Sequence, residues 1–171
     1  TIAGSQNDAN TLCGGLQDNG GYAYTDGTWK CYYGADGMGS AVNSNNSDQI
    51  WGMIQNGSLY YTSNGGFNLS SAGSPESGRW ITPMSYDGNN SRIVAGYNDV
   101  YEFVIGSGWN QLSTYNFPSL LSIVEVYEAN SNIMYASSGS DLARTNDGGT
   151  TFTNITLPFN SSVTSLEINP S

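Results

Sequence analysis

The chain has 171 residues, with 14 acidic and 4 basic side chains, a formal charge of −10 and no histidine. This acidic excess would repel phosphate backbones and anionic lipid, which excludes nucleic-acid binding, and no run of about 18 apolar residues is present to insert into a bilayer. The absence of histidine removes the commonest general base and zinc ligand, and with them histidine-dependent hydrolases and metalloenzymes.

The composition predicts an all-β protein. Only 11% of residues are charged and 12% are aromatic, with 22 glycines, which is typical of ordered, β-rich chains. No apolar stripe with a 3.6-residue period indicates a helix. Asx-Gly dipeptides, which favour tight hairpin turns, begin at Asn19, Asp26, Asp36, Asn56, Asn64, Asp87 and Asp147.

Taken in chain order, the predicted elements repeat. An Asn-rich turn followed by a short apolar strand occurs at residues 7–15, 45–53, 88–96 and 129–137. Matching Cys13, Trp51, Ala95 and Ala136 gives spacings of 38, 44 and 41 residues. This period fits a four-stranded antiparallel blade.

The rest of each repeat completes the blade. A strand, a glycine-containing turn and an aromatic strand follow at residues 23–33, 59–68, 101–110 and 142–155, and inner strands are predicted at 39–44, 79–86 and 122–129. The blades are predicted at 1–35, 36–73, 79–115 and 119–158, with 161–171 as the first strand of a fifth. A propeller closes its ring to remove exposed edges, so we expect a fragment of a larger β-propeller.

One hairpin carries a family motif. Residues 145–152, TNDGGTTF, resemble the Asp-box, or BNR repeat, at Thr145, Asp147, Gly149, Thr151 and Phe152. The resemblance implies a hairpin between the outer two strands of a blade, in which the Asp accepts backbone hydrogen bonds and the aromatic packs inside.

The other units depart from this motif. Residues 61–68 lack the Asp, residues 24–29 are shortened, and residues 105–110 keep only Gly108 and Trp109. At the box aromatic position, Trp29 and Trp109 are predicted to fill the core.

A second sequence resemblance bears on the cellular location of the protein. Residues 14–21, GGLQDNGG, with GADGMG at 34–39, resemble a stretch of secreted BNR-type propellers in sortilin-like and bacterial cell-surface proteins. This resemblance implies an exported or cell-surface protein of bacterial origin.

Two related enzyme classes suggest where catalytic residues would lie. Sialidase-like propellers use an arginine cluster with Tyr, Glu and Asp, but Arg144 adjoins the Asp-box hairpin and no such set can be assembled here. Xyloglucanase-like propellers are inverting and need two separated carboxylates. The candidates are Asp18, Asp36, Asp99, Glu102, Glu125 and Glu128. None occurs in a recognised catalytic context, so no catalytic residue is assigned.

Four residues are candidates for ligand binding. Asp18 and Asp36 lie in glycine-flanked loops at corresponding ends of adjacent strands, where they would face a channel, bind Ca²⁺ or serve only as Asx-turn acceptors. No dedicated metal site is assigned. Trp80 and Tyr97 are predicted to be free to stack on sugar rings.

The two cysteines are predicted to form a disulfide. Cys13 and Cys31 are 18 residues apart on strands predicted to be neighbours, and an exported protein favours the bond. The alternative is two buried thiols.

These features lead to three functional hypotheses. The first is a non-catalytic extracellular propeller module that acts as a scaffold or binds a glycan or protein. The second is part of a glycoside hydrolase with its catalytic residues outside this chain. The third is a component of a surface adhesion or secretion assembly. The expected partners are the remaining blades or another chain at the open edges, together with glycans.

Overall fold

The computed structural model describes residues 1–169 and is all-β in that range, apart from one 3₁₀ turn at Gln55–Gly57. Sixteen strands form four antiparallel four-stranded sheets, and within each sheet the strands lie in chain order. The chain divides into two compact units, Thr1–Ile81 and Thr82–Ser171. Residues 1–169 contain no apolar helix of membrane-spanning length.

Unit 1 contains sheets 1 and 2. Sheet 1 consists of β1 (Ile2–Gly4), β2 (Leu12–Leu16), β3 (Gly20–Thr25) and β4 (Thr28–Tyr33). Sheet 2 consists of β5 (Gly37–Val42), β6 (Ile50–Ile54), β7 (Leu59–Thr62) and β8 (Ser70–Gly73). The buried cluster that joins them comprises Cys13, Ala23, Tyr32, Tyr33, Val42 and Ile50.

Unit 2 repeats this arrangement. Sheet 3 consists of β9 (Met84–Asp87), β10 (Arg92–Gly96), β11 (Val100–Val104) and β12 (Gly108–Gln111). Sheet 4 consists of β13 (Ile123–Val126), β14 (Met134–Ser138), β15 (Asp141–Thr145) and β16 (Thr153–Asn154). Its buried cluster comprises Val94, Val100, Phe117, Leu121, Val124, Val126, Met134, Ala136 and Ala143.

The four residues used to detect the repeat occupy equivalent strands. Cys13, Trp51, Ala95 and Ala136 lie on β2, β6, β10 and β14, the second strand of each sheet. The period of about 40 residues in the sequence therefore corresponds to one four-stranded sheet.

The segment predicted to start a fifth blade forms no assigned strand within its described residues, 161–169. Residues 155–169 contain no assigned strand, and Val163 N–H donates to Gly139 O at 2.8 Å. Residues 170–171 of this predicted strand lie outside the described residues. The fifth-blade strand stays a prediction.

The cysteines do not form the predicted disulfide. Cys13 on β2 and Cys31 on β4 are both free, the first buried and the second exposed. Strand β3 lies between them, since Cys13 pairs with Ala23 and Cys31 pairs with Tyr22. Two strand spacings amount to about 9.6 Å, beyond the reach of a disulfide.

Trp29 is exposed rather than in the core, which corrects the prediction from the repeat. The β3–β4 turn has only two residues, Asp26 and Gly27, both with positive φ. This tight turn pairs Trp29 with Tyr24, and their ring centroids lie 5.2 Å apart on the open face of sheet 1. Trp29 is 55% exposed.

Candidate functional site

Backbone and side-chain hydrogen bonds join three loops at one end of unit 1. The Asp18 N–H, in the β2–β3 turn, donates to Asp36 Oδ1 at 2.7 Å. The Asp36 N–H, in the β4–β5 connection, donates to Gln55 Oε1 at 3.1 Å. The structure thus connects two of the predicted ligand-binding residues directly and adds Gln55 from the 3₁₀ turn.

Trp80 belongs to the same network. The Asn56 N–H donates to Trp80 O at 3.3 Å, and the Gly78 N–H donates to Asn56 O at 2.9 Å. The Trp80 side chain is 52% exposed. We refer to Asp18, Asp36, Gln55, Asn56 and Trp80 as the loop cluster.

The sequence analysis missed Gln55 and Asn56. The Asn56-Gly57 dipeptide signalled a turn, and Asn56 does adopt a left-handed conformation at φ 62°. Nothing in the sequence indicated that this turn would form hydrogen bonds with the backbone of both the β4–β5 connection and residues 78–80. That convergence depends on long-range packing.

The loop cluster offers few free oxygen ligands for a cation. Asp36 Oδ1 and Gln55 Oε1 each already accept a backbone N–H. Within residues 1–169, no three side chains of the His, Cys, Asp and Glu types come together as a metal site. The residues present favour a ligand that forms hydrogen bonds over one that needs six to eight oxygen ligands.

Beside this cluster, sheet 1 presents an open apolar face. Ile2, Leu16 and Trp29 are 79%, 49% and 55% exposed. Together with Asn19 and Tyr22 they line a groove of about 700 Å³. Apolar patches of this kind mark interaction surfaces.

Tyr97 is not a surface residue, which corrects its assignment as a ligand-binding candidate. Its side chain is completely buried. Tyr101 and Trp109 pack edge-on against the ring, with centroids at 5.6 and 5.7 Å. An aromatic enclosed in this way cannot stack on a ligand.

Two of the carboxylate candidates in unit 2 have structural contacts. Asp99 is buried and accepts hydrogen bonds from Ser113 Oγ and, at 3.0 Å, from Gln111 Nε2. Glu102 pairs with Arg92 at 2.5 Å. Both carboxylates stabilise the fold of unit 2.

Glu125 is different because its pKa is raised. Burial is the main cause, a hydrogen bond from Ser85 Oγ opposes it, and the neighbouring carboxylate of Glu167 adds to it. Glu125, Glu128 and Glu167 line a groove of about 310 Å³. A raised pKa is one property of a general acid.

The hairpin between β15 and β16 is held by Thr145 and Asp147. Thr145 Oγ1 accepts the Asp147 and Gly149 N–H groups at 3.2 and 3.1 Å. The Asp147 carboxylate accepts the Thr151 N–H at 2.9 Å and the Thr151 Oγ1–H at 2.6 Å. Phe152 is partly buried against the unit 2 core.

The sheet 2 hairpin repeats the backbone N–H hydrogen bonds of this hairpin although its sequence lacks the Asp. Thr62 Oγ1 accepts the Asn64 and Gly66 N–H groups at 3.3 and 3.1 Å. Asn64 Oδ1 accepts the Asn68 N–H at 2.9 Å, as Asp147 Oδ1 accepts that of Thr151. An amide oxygen therefore replaces the carboxylate as the acceptor, but without its charge.

This difference gives a prediction on pH. Hydrogen bonds from Thr151 and Thr145 lower the pKa of Asp147 to about 2. Because the folded pKa lies below the ordinary value of 3.8, Asp147 stabilises the folded state fully above pH 4, and this stabilisation is lost as pH falls towards 2. We expect Asp147→Asn to remove this part of the acid sensitivity, measured as urea midpoints at pH 7 and pH 2.5.

The reciprocal variant is the control. Asn64→Asp should introduce acid sensitivity into the sheet 2 hairpin, since the new carboxylate would accept hydrogen bonds from the Thr62 Oγ1–H and the Asn68 N–H. Parallel losses of stability in wild type and Asp147→Asn between pH 4 and 2 would contradict the prediction.

Four successive antiparallel sheets of this kind are β-propeller blades. No family model matches the sequence, and no curated protein does. Among solved structures, an ancestral GH74 enzyme matches 93% of this chain with a TM-score of 0.72 and 19% identity. A GH74 xyloglucanase from Xanthomonas campestris matches 91% with 0.71 and 15%, and a GH74 enzyme from Niastella koreensis matches 90% with 0.69 and 19%.

These matches confirm the predicted fold. The chain is a β-propeller segment, and it spans 24–29% of the length of these three enzymes. Identities of 15–19% support the fold and carry no activity over to this chain.

Proposed function

We propose that this chain is a non-catalytic part of a larger extracellular or cell-surface β-propeller of the Asp-box type, and that its loop cluster binds a glycan. The observation that carries the proposal is the hydrogen-bonded network in which Asp18, Asp36 and Gln55 join the loop that presents Trp80.

The chemistry of the loop cluster suits a sugar. An exposed indole offers an apolar face for the C–H face of a pyranose ring. Carboxylates and amides beside it can bind the hydroxyl groups, and ligand sites commonly combine apolar surface with a few placed polar groups. Trp80 supplies the first, and Asp18 and Asn56, both exposed, supply the second.

The hydrogen bonds of the loop cluster argue against catalysis there. An inverting glycosidase needs two carboxylates with a water between them. Asp36 Oδ1 is instead occupied by the backbone of Asp18. The Asp36 carboxylate fixes the loops through this bond, and the loop cluster therefore has no matched acid and base.

A hydrolase is the second candidate, because all three structures reported above are GH74 enzymes. In that case the catalytic residues would lie in blades outside this chain. The chain would then contribute a sugar-binding surface next to them.

The open face of sheet 1 supports the proposal of further blades as partners. The opposite face of the same sheet is covered by sheet 2 through Ala23, Val42 and Ile50. Ile2, Leu16 and Trp29 would be covered in the same way by another apolar sheet.

The test is an isothermal titration calorimetry experiment in which the 171-residue chain is titrated with xyloglucan heptasaccharide and, separately, with cellohexaose. We expect binding to one of these probes and an affinity about tenfold lower for Trp80→Ala, which corresponds to about 1.4 kcal/mol. Phe159→Ala is the matched control, because Phe159 is equally exposed at 52% but lies in unit 2.

Equal affinity for wild type and Trp80→Ala would overturn the assignment of the loop cluster. A reducing-end assay separates the two candidates. Hydrolysis by the 171-residue chain would overturn the non-catalytic proposal. If the protein expressed from its complete gene hydrolyses the probes and the 171-residue chain does not, the second candidate is supported.

A further inference from the structure

In unit 1, the outer hairpin of sheet 2 lies on the outer strands of sheet 1. Thr25 Oγ1 donates to Gly65 O at 2.7 Å, and this bond is buried. A Cβ at Gly66 would lie 3.0 Å from Ala23 Cβ, so glycine allows this close approach. The Lys30 ammonium lies 4.2 Å from the centroid of the Phe67 ring.

In unit 2, the outer hairpin of sheet 4 lies on residues 112–117, the segment that follows β12 of sheet 3. A Cβ at Gly149 would lie 3.0 Å from Leu112 Cβ. Phe152 packs near Tyr115 and Phe117, with centroids at 6.3 and 5.9 Å. The glycine turn and aromatic of one sheet therefore pack on the outer strands of the preceding sheet in unit 1, and on the segment directly after the last strand of the preceding sheet in unit 2.

The face of sheet 4 that points away from the buried cluster of unit 2 carries a groove. The register places Tyr135, Arg144 and Thr153 in one row across β14, β15 and β16. These residues line a groove of about 390 Å³ together with Asn146, Asp147, Thr151, Asn154 and Ile155.

One donor of Arg144 in this groove, the Nε–H, lacks an acceptor among the described residues. The Nε atom is buried, and the Arg144 guanidinium lies 5.8 Å from the Tyr135 ring centroid. A buried donor of this kind is unfavourable unless an acceptor meets it. An occupant of the groove that brings an oxygen would satisfy this donor.

We propose that this groove receives the glycine turn of the outer hairpin of a further propeller blade, with a turn carbonyl accepting a hydrogen bond from Arg144 and the hairpin aromatic packing beside it. The Gly65 carbonyl and the Phe67 ring perform these two roles against Thr25 and Lys30 in unit 1.

The charge of the groove favours this occupant over an acidic one. Asp147 lies in the lining and is ionised at neutral pH. A neutral carbonyl avoids repulsion from it, whereas an acidic sugar would face it in a chain of net charge −10. The inference rests on the proposed larger propeller, which the 24–29% coverage of the matched enzymes supports.

The experiment places the photo-crosslinker p-benzoylphenylalanine at Thr153, an exposed groove residue, in the protein expressed from its complete gene. Mass spectrometry after irradiation should identify a glycine turn of a sheet outside residues 1–169. The Arg144→Gln variant should reduce this cross-link severalfold. Arg79→Gln, which changes the net charge by the same amount, should not.

Other cross-linking results would overturn the inference. The first is a cross-link from Thr153 to residues 1–169, to a second copy of the chain or to a glycan. The second is a cross-link yield at Thr153 no higher than that at the exposed turn residue Ser107. The third is a cross-link yield that Arg144→Gln does not change. A crosslinker at Leu16 separates this inference from the proposed function. If Leu16 reacts with another blade and Thr153 does not, the larger propeller stands and the groove assignment fails.

Discussion

Trp51→Ala is expected to lower the free energy of unfolding by about 3–5 kcal/mol, since large aromatic side chains leave cavities of that cost when they are removed from a packed core. Trp51 lies on β6 and is completely buried. The free energy of unfolding of a typical domain is only about 5–15 kcal/mol. The variant should therefore be close to unfolding at 37 °C.

Two other tryptophans of unit 1 are the controls. Trp29 and Trp80 are 55% and 52% exposed, so Trp29→Ala and Trp80→Ala should each cost less than about 1 kcal/mol. Unfolding in urea should be monitored by circular dichroism, because each variant removes a tryptophan that contributes to the fluorescence signal. A cost for Trp51→Ala no larger than that for Trp29→Ala would contradict the core position of Trp51.

The repeat was predictable because it depends on local chemistry. Asx-Gly turns reverse the chain at fixed positions, and short apolar strands between them have to pair with their neighbours. Cys13, Trp51, Ala95 and Ala136 consequently identified the second strand of all four sheets. Such signals need no knowledge of long-range contacts.

The faces of individual strands were harder to predict. A two-residue turn at Asp26-Gly27 sets Trp29 opposite Tyr24, whereas the longer hairpin of sheet 4 carries Phe152 towards the core. A change in turn length shifts the register, and a shift of one residue moves a side chain to the other face. Aligning Trp29 with Phe152 ignored this.

The candidate site was predicted only in part. Asp18 and Asp36 were expected at corresponding ends of strands, and the structure joins them by one hydrogen bond. Gln55 and the backbone of Asn56 meet them across long sequence separations, which no local pattern reports. Tyr97 was mistaken for a surface aromatic because burial in a loop depends on the rings that enclose it.

The second large effect is expected from Arg92 in unit 2. Arg92 Nε donates to Asp87 Oδ2 at 2.7 Å, and Asp87 is only 1% exposed. Burial alone would raise the pKa of Asp87, but hydrogen bonds from Asn90, Ser131 and Arg92, with the charge of Arg92, lower it overall. The carboxylate is thus kept ionised inside the protein by its donors.

Arg92→Met should cost about 3–5 kcal/mol at pH 7, because it leaves the buried Asp87 charge without its counter-ion. In the wild type, the lowered pKa means that Asp87 stabilises the folded state above its ordinary pKa and less as pH falls below it. In the variant, protonation relieves the unpaired charge. The difference between the two proteins should therefore shrink as pH falls from 7 to 4.

A double variant distinguishes the unpaired charge from the loss of packing. Asp87→Asn combined with Arg92→Met removes both charges and should recover much of the stability lost in Arg92→Met alone, since the amide oxygen can still accept the Asn90 N–H and the Ser131 Oγ–H, which both donate to Asp87 Oδ1. Glu102→Gln should cost much less, because Glu102 is partly exposed and keeps Asn110 as a donor. If the double variant is no more stable than Arg92→Met at pH 7, the cost comes from packing and the ion pair is not its source.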